Sequence, residues 1–186
     1  MAESNVVTPS GDSESRARVA ALKALAILDT PPENTFNALV RVAASLCDMP
    51  IAIVSLLDGD RLWFKAATGL SADTIPSENS FCKHAATLKT LLSVPDARSD
   101  LRFADNELVA GELKIQAYIG APIIHEGVAV GTVCALDLVP HEVTAKSAAA
   151  LTELAVLNSA LLTARIDAFR LFTHTDARLQ SAPAES

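Results

Sequence analysis

Aromatic residues are scarce in this sequence: one Trp, one Tyr and six Phe make up 4 % of 186 residues. A core must therefore be filled mainly by Ala, Leu and Val, and each aromatic that does occur is a landmark. Cysteine is sparse too. Cys47, Cys82 and Cys134 are three residues with no C-x-x-C pair, which argues against a disulfide framework. Positive charge is short: 15 Lys and Arg face 22 Asp and Glu, a formal charge of -7. That balance excludes a nucleic-acid binder that works by neutralising phosphates with a basic face. No basic-then-apolar leader opens the chain and no unbroken apolar run reaches the length of a span. The expected setting is the cytoplasm, away from membranes.

What is present is ample apolar material, 50 % of the residues, enough for one domain with its own core. Residues 1–13 and 173–186 are polar and read as disordered tails, which leaves a single domain over residues 14–172. Its centre is residues 115–137, IQAYIGAPIIHEGVAVGTVCALD. Two β-branched apolar runs flank His125-Glu126-Gly127, a hairpin signal. Neither run alternates cleanly, so both faces of this hairpin are covered. Gly120 and Gly131 inside the runs mark a bulge or the close approach of another backbone or a ligand.

The remaining elements follow in order. Residues 13–28 carry Val19, Leu22, Leu25 and Ile27 at helical spacing. Asp29-Thr30-Pro31-Pro32 breaks that helix. Thr30 or Asn34 can cap a second, striped by Phe36, Leu39, Val40, Ala43, Leu46 and Cys47 and ended before Pro50. Residues 51–57 and 61–68 read as a strand pair around Asp58-Gly59-Asp60. Residues 69–78 read as a loop, 80–87 as a short helix and 91–94 as a short strand. The charged loop DARSDLRFADN then leads to the central hairpin. A long helix over residues 144–172 carries Ala150, Leu154, Leu157, Leu161, Ala164, Ala168 and Leu171 in steps of four and three. A second stripe, Leu151, Leu162, Phe169 and Phe172, makes the apolar face wider than one sheet contact needs. The surplus fits a partner helix in a homodimer or a contact with the first helix.

Helices at both ends around an antiparallel meander give an α+β sandwich. Several segments resemble the GAF domain family: LKALAILDTPPE (22–33), PIAIVSLLDGDRLWFKAATGL (50–70), SFCKHA (80–85), DARSDLRFADNELV (96–109), GAPI (120–123) and GVAVGTVCALD (127–137). The resemblance implies a PAS-like central antiparallel sheet of five to six strands. Terminal helices would cover one face, and a short lid helix and loops would cover a ligand pocket on the other. It implies a sensory or regulatory role in bacterial signal transduction, non-catalytic, with a small effector in the pocket and a homodimer or a signalling protein as partner. No metal is expected, and the resemblance names no cofactor, because the fold hosts many ligands. Gln116, Ala117 and Ile119 replace residues of the family's R-F-Y-A-G-A-P strand, which removes an arginine that would grip an anion.

By alternation Gln116, Tyr118 and Gly120 share a face, as do Thr132, Cys134 and Leu136, and the resemblance turns both sets toward the pocket. Tyr118 is then a ligand anchor or a core tyrosine bonded to a carbonyl. Phe81, Cys82 and His84 lie on the lid helix. Cys-x-His suits a metal, a bilin or a thiolate–base pair. Metal sites want three or four ligands, and Lys83 separates the pair where bilin-attaching members have them adjacent. The plain reading is a buried thiol and a hydrogen-bonded His. Cys134, in an apolar strand, reads as an inert thiol with a raised pKa, and Cys47 as core. Asp96, Arg102 and Phe103 sit in the charged loop, where Arg102 either grips an acidic ligand or braces the loop through neighbouring carboxylates. Trp63 and Phe64, adjacent on a strand, face opposite ways. Two further readings are a ligand-free interaction module and a free methionine-(R)-sulfoxide reductase. The latter needs two thiols within reach of each other.

Overall fold

A computed structural model describes residues 11–78 and 80–180. The elements in chain order are α1 (Gly11–Leu25), α2 (Asn34–Cys47), β1 (Ile51–Asp58), β2 (Arg61–Thr68), β3 (Thr74–Pro76), α3 (Phe81–Leu88), β4 (Leu92–Val94), α4 (Glu107–Ala110), β5 (Ala117–His125), β6 (Val128–Asp137) and α5 (Ala145–Gln180). The strands form one antiparallel sheet of six in the order β3-β2-β1-β6-β5-β4. The first and last long strands thus meet at its centre. The β5–β6 hairpin turns on Glu126 and Gly127, both at positive φ (48° and 79°), the geometry that a two-residue loop needs to match strand twist.

Alternation splits the sheet's side chains between two cores. Ala52, Val54, Leu56, Trp63, Ile119, Val133 and Ala135 pack under α1, α2 and α5. Ile53, Leu57, Phe64, Tyr118, Cys134 and Leu136 pack under α3 and the 95–115 segment. Trp63 and Phe64 do face opposite ways. At β2 the register slips opposite Val54 and Ser55, so that Lys65 has no partner on β1. Its ammonium enters the helix-side core, where Pro31 O (2.8 Å) and Thr30 Oγ1 (2.9 Å) accept hydrogen bonds and Glu33 Oε1 (2.6 Å) completes an ion pair. Thr30 is thereby engaged with Lys65 and with Ile27 O, and does not cap α2. The residue before α2 is Glu33, whose carboxylate is taken by Lys65 and Arg165 rather than by the helix end.

Four sequence expectations change. Residues 74–76, read as loop, form edge strand β3 against Arg61–Trp63 of β2. Residues 107–110 form the one-turn α4, capped by Asn106. Helix α1 starts at Gly11, inside the segment expected to be a tail. Helix α5 runs to Gln180, past the expected end at 172. Residues 173–180, THTDARLQ, contain no Gly or Pro to stop a helix, and the first Pro beyond is Pro183. The rest of the expected tails, 1–10 and 181–186, lies outside the described residues.

Helix α5 divides the two expected stripes differently, with the side chains of Phe169 and Phe172 outside the described residues. Leu151, Leu154, Ala155, Asn158, Leu162 and Ile166 are buried against the sheet and α2. Leu157 and Leu171, from the four-three series, are exposed, as are Ala164 and Ala168. Residues Ala145–Ala168 are long and apolar enough to cross a membrane by composition alone; here one side of them lies on the sheet.

Candidate functional site

The lid-side core is a buried cluster of rings, thiols and hydroxyls. Helix α3 starts where Ser80 Oγ accepts Lys83 N–H and donates to Ser77 O. This end directs Phe81 and Cys82 down onto the sheet. Phe81 stacks on Tyr118 (centroids 4.9 Å apart, planes 13° apart) and leans on Phe103 at 4.4 Å. All three rings are fully buried. His84 sits at the rim, edge-on to Phe103 at 4.8 Å, with Nδ1 3.1 Å from Ser80 O.

Beneath the rings the sheet supplies polar groups. Cys82 Sγ lies 3.8 Å from Cys134 Sγ, and the Tyr118 hydroxyl donates to Cys82 Sγ at 3.7 Å. Cys134 donates to Ile53 O at 3.7 Å. Ser55 Oγ and Thr132 Oγ1, both fully buried, are 2.9 Å apart on the neighbouring central strands. These groups divide the thiols' acidity. The Cys134 thiol, then the Thr132, Ser55 and Tyr118 hydroxyls, stabilise a Cys82 thiolate more than burial penalises it, so its pKa falls below that of a free cysteine. Cys134 moves the other way, because the adjoining Cys82 sulfur and its own burial both favour the protonated thiol. Burial and the adjacent thiols hold Tyr118 protonated as a donor.

The glycines settle what the sheet makes room for. A Cβ on Gly120 would stand 2.0 Å from the Tyr118 hydroxyl oxygen, and one on Gly131 2.0 Å from Ser55 O. The space is used by the protein itself: Tyr118 lies along β5 over Gly120, and β1 comes close at Gly131. The Tyr118 hydroxyl meets the Cys82 thiol, a partner that neither of the two readings named.

Six of the expected site residues, Phe81, Cys82, Phe103, Tyr118, Thr132 and Cys134, meet in this cluster, with His84 at its edge. Three do not. Gln116 precedes β5 and is half-buried, its backbone bonded to Asp137 and Ala97. Asp96 accepts from Arg98 N–H and from Ser99 Oγ. Arg102 makes a two-point contact with Asp100 (2.9 and 2.6 Å), the bracing role. With Lys83, His84, Thr87 and Leu88 it lines an open surface groove of about 320 Å³ outside α3. Ser55 was not singled out from the sequence. The signal was there, since alternation from Ile53 puts it on the lid face, but a small residue in an apolar run gives no warning of a partner on β6.

The family model for the GAF domain matches residues 31–160, which take in the whole sheet and the lid helix. The chain belongs to the GAF domain family. A cyclic di-GMP phosphodiesterase of Pseudomonas aeruginosa is 35 % identical to this GAF domain over 149 residues, 80 % of the chain. The chain spans a quarter of that relative's length (25 %). Among solved structures, the GAF domain of an Acinetobacter phosphoenolpyruvate-protein phosphotransferase is similar at a TM-score of 0.60 and 15 % identity, over 83 % of this chain and 95 % of that one. A type II free methionine-R-sulfoxide reductase of Thermoplasma acidophilum is similar at a TM-score of 0.59 and 16 % identity, over 69 % and 90 %. At these identities the structures speak for the fold.

Proposed function

We propose that this GAF domain is a non-catalytic sensory module of bacterial signal transduction, working in the cytoplasm, with its lid-side core as the sensing face and α5 as the output. The observation that carries this reading is the shared strand pair: β5 and β6 hold Tyr118 and Cys134 against the lid, and Ile119 and Val133 against the helix-side core that includes α5. A change that moves the Phe81–Tyr118–Phe103 rings is passed through one sheet thickness to that helix. Because the rings fill the face, a small effector enters by displacing them, and a flat apolar molecule is the class that could take their place. Helix α5, 36 residues and so about 54 Å long, presents Leu157, Ala164, Ala168 and Leu171 outward at coiled-coil spacing. A second copy of the chain is the partner that this repeat fits.

The test is native mass spectrometry joined to a thermal-shift screen of aromatic metabolites. A dimer whose Tm rises with one class of compound supports the module. A monomer with no responsive compound sinks both the effector and the homodimer.

The thiol separation favours a second reading, a thiol-dependent reductase of free methionine sulfoxide. It meets the two-thiol requirement that spacing in sequence did not reveal. Turnover of free methionine-(R)-sulfoxide that disappears in Cys82→Ser would make this the function.

A further inference from the structure

We propose that Cys82 and Cys134 form a hydroperoxide-oxidised pair, closing a reversible disulfide that fastens the lid helix to the central strand. The geometry carries it. The two sulfurs are 3.8 Å apart and both unoxidised, and disulfide bonding needs them about 1.8 Å closer, a shift within reach of side-chain rotation and a small settling of α3. They belong to different layers: Cys82 is on the second residue of an eight-residue helix, Cys134 in the middle of the central strand β6. A bond between them therefore joins the lid to the sheet covalently, where packing and weak sulfur hydrogen bonds hold it otherwise.

The surroundings assign the roles. Cys82 faces the hydroxyls of Tyr118, Ser55 and Thr132 and lies at the start of α3, all of which favour its thiolate. It also keeps 7 % of its surface exposed, whereas Cys134 has none. Cys82 is the attacking sulfur and Cys134 the resolving one. The Cys82 thiolate attacks the terminal oxygen of a hydroperoxide, ROOH; the O–O bond breaks, and the leaving alkoxide takes a proton to become ROH. Cys82 is now a sulfenic acid. Cys134 sulfur attacks Cys82 sulfur, its thiol proton leaves with the sulfenic hydroxyl as water, and the disulfide forms. In sum two thiols and ROOH give a disulfide, ROH and water, with two electrons passing from sulfur to oxygen. Cys47, buried in the other core with its pKa pushed up to about 11 by burial, takes no part.

The consequence rests on the sensing role proposed for the lid; the bond itself does not, and the experiment separates them. The full chain, reduced and freed of reductant, is treated with stoichiometric hydrogen peroxide, then denatured in acid, alkylated and mapped by mass spectrometry. The expected result is one alkylated residue, Cys47, and a Cys82–Cys134 linked peptide that dithiothreitol opens. The Tm of the oxidised protein should rise, and Cys134→Ser should stop at a sulfenic acid on Cys82 that dimedone captures. Three alkylatable thiols after peroxide, or a disulfide that includes Cys47 or joins two chains, would overturn the pair even if no variant folds. A linked pair in a protein whose Tm response to the screened aromatic metabolites is the same as in the reduced protein would leave the bond standing and remove its bearing on the lid.

Discussion

The two faces of the sheet are filled by different chemistry. The helix side is mostly apolar but takes in the buried amide of Asn158 and one buried cation, Lys65, held by the carboxylate of Glu33 and by neutral oxygens and lying 5.4 Å from the Phe36 ring. The lid side concentrates rings, two thiols and hydroxyls. A charge fixed by a carboxylate resists rearrangement, because either partner alone is costly to bury. Rings and weak sulfur hydrogen bonds can be exchanged for similar contacts at small cost. One face is built to stay, the other can change.

The comparison breaks most readily at Lys65. Lys65→Ala should lower stability by about 3 kcal/mol, the lower end for a broken buried ion pair, because Arg165 still partners Glu33 at 3.1 Å. Burial pushes the Glu33 carboxyl up, but hydrogen bonds from Lys65 and Arg165 outweigh it and leave the pKa lowered. That stability is present above the unfolded value, about 4.3, and is lost as pH falls through the lowered folded value. Urea unfolding at pH 7 and below pH 4 should thus show a shallower acid loss in Lys65→Ala than in the parent. Equal losses would remove the ion pair from the account.

A smaller effect is expected on the other face. Gly120→Ala puts a methyl where the Tyr118 hydroxyl lies, 2.0 Å away, so the ring must move. The cost should be about 1–3 kcal/mol, as for other overpacked sites, with Cys82 alkylated faster in the folded protein. A Gly120→Ala protein as stable as the parent and no more reactive would show that the lid face is not sensitive to Tyr118. The smallest effect belongs to Arg102→Ala, within about 0.5 kcal/mol by thermal melting, since its pair with Asp100 is exposed. A larger loss would give the groove outside α3 a structural role.

Much of this division was legible in the sequence. Strand alternation grouped Tyr118 with Gly120 and Thr132 with Cys134 and separated Trp63 from Phe64, and the family resemblance turned the two groups toward the lid. The glycines announced a close approach but not its author, since a ring from two residues earlier and a ligand leave the same signature. Cys82 read plainly as a buried thiol and Cys134 as one with a raised pKa, and burial beside Cys82 does raise the Cys134 thiol. Their pairing depends on where α3 lands on β6, across 52 positions of chain, and no local pattern encodes that. Lys65 was invisible for a related reason: only a slipped register turns a strand lysine into the core. Arg102 could be read correctly because its partner, Asp100, is two residues away.

The sequence holds one tryptophan and one tyrosine, and the sheet keeps them on opposite sides. Trp63 emission reports the surroundings of the helix-side core, and near-ultraviolet absorption by Tyr118 reports the hydroxyl that meets Cys82. Two wavelengths therefore read two faces of the same sheet with no label attached, and a lag between the signals after a ligand or oxidant is added would time the passage of a change from one to the other.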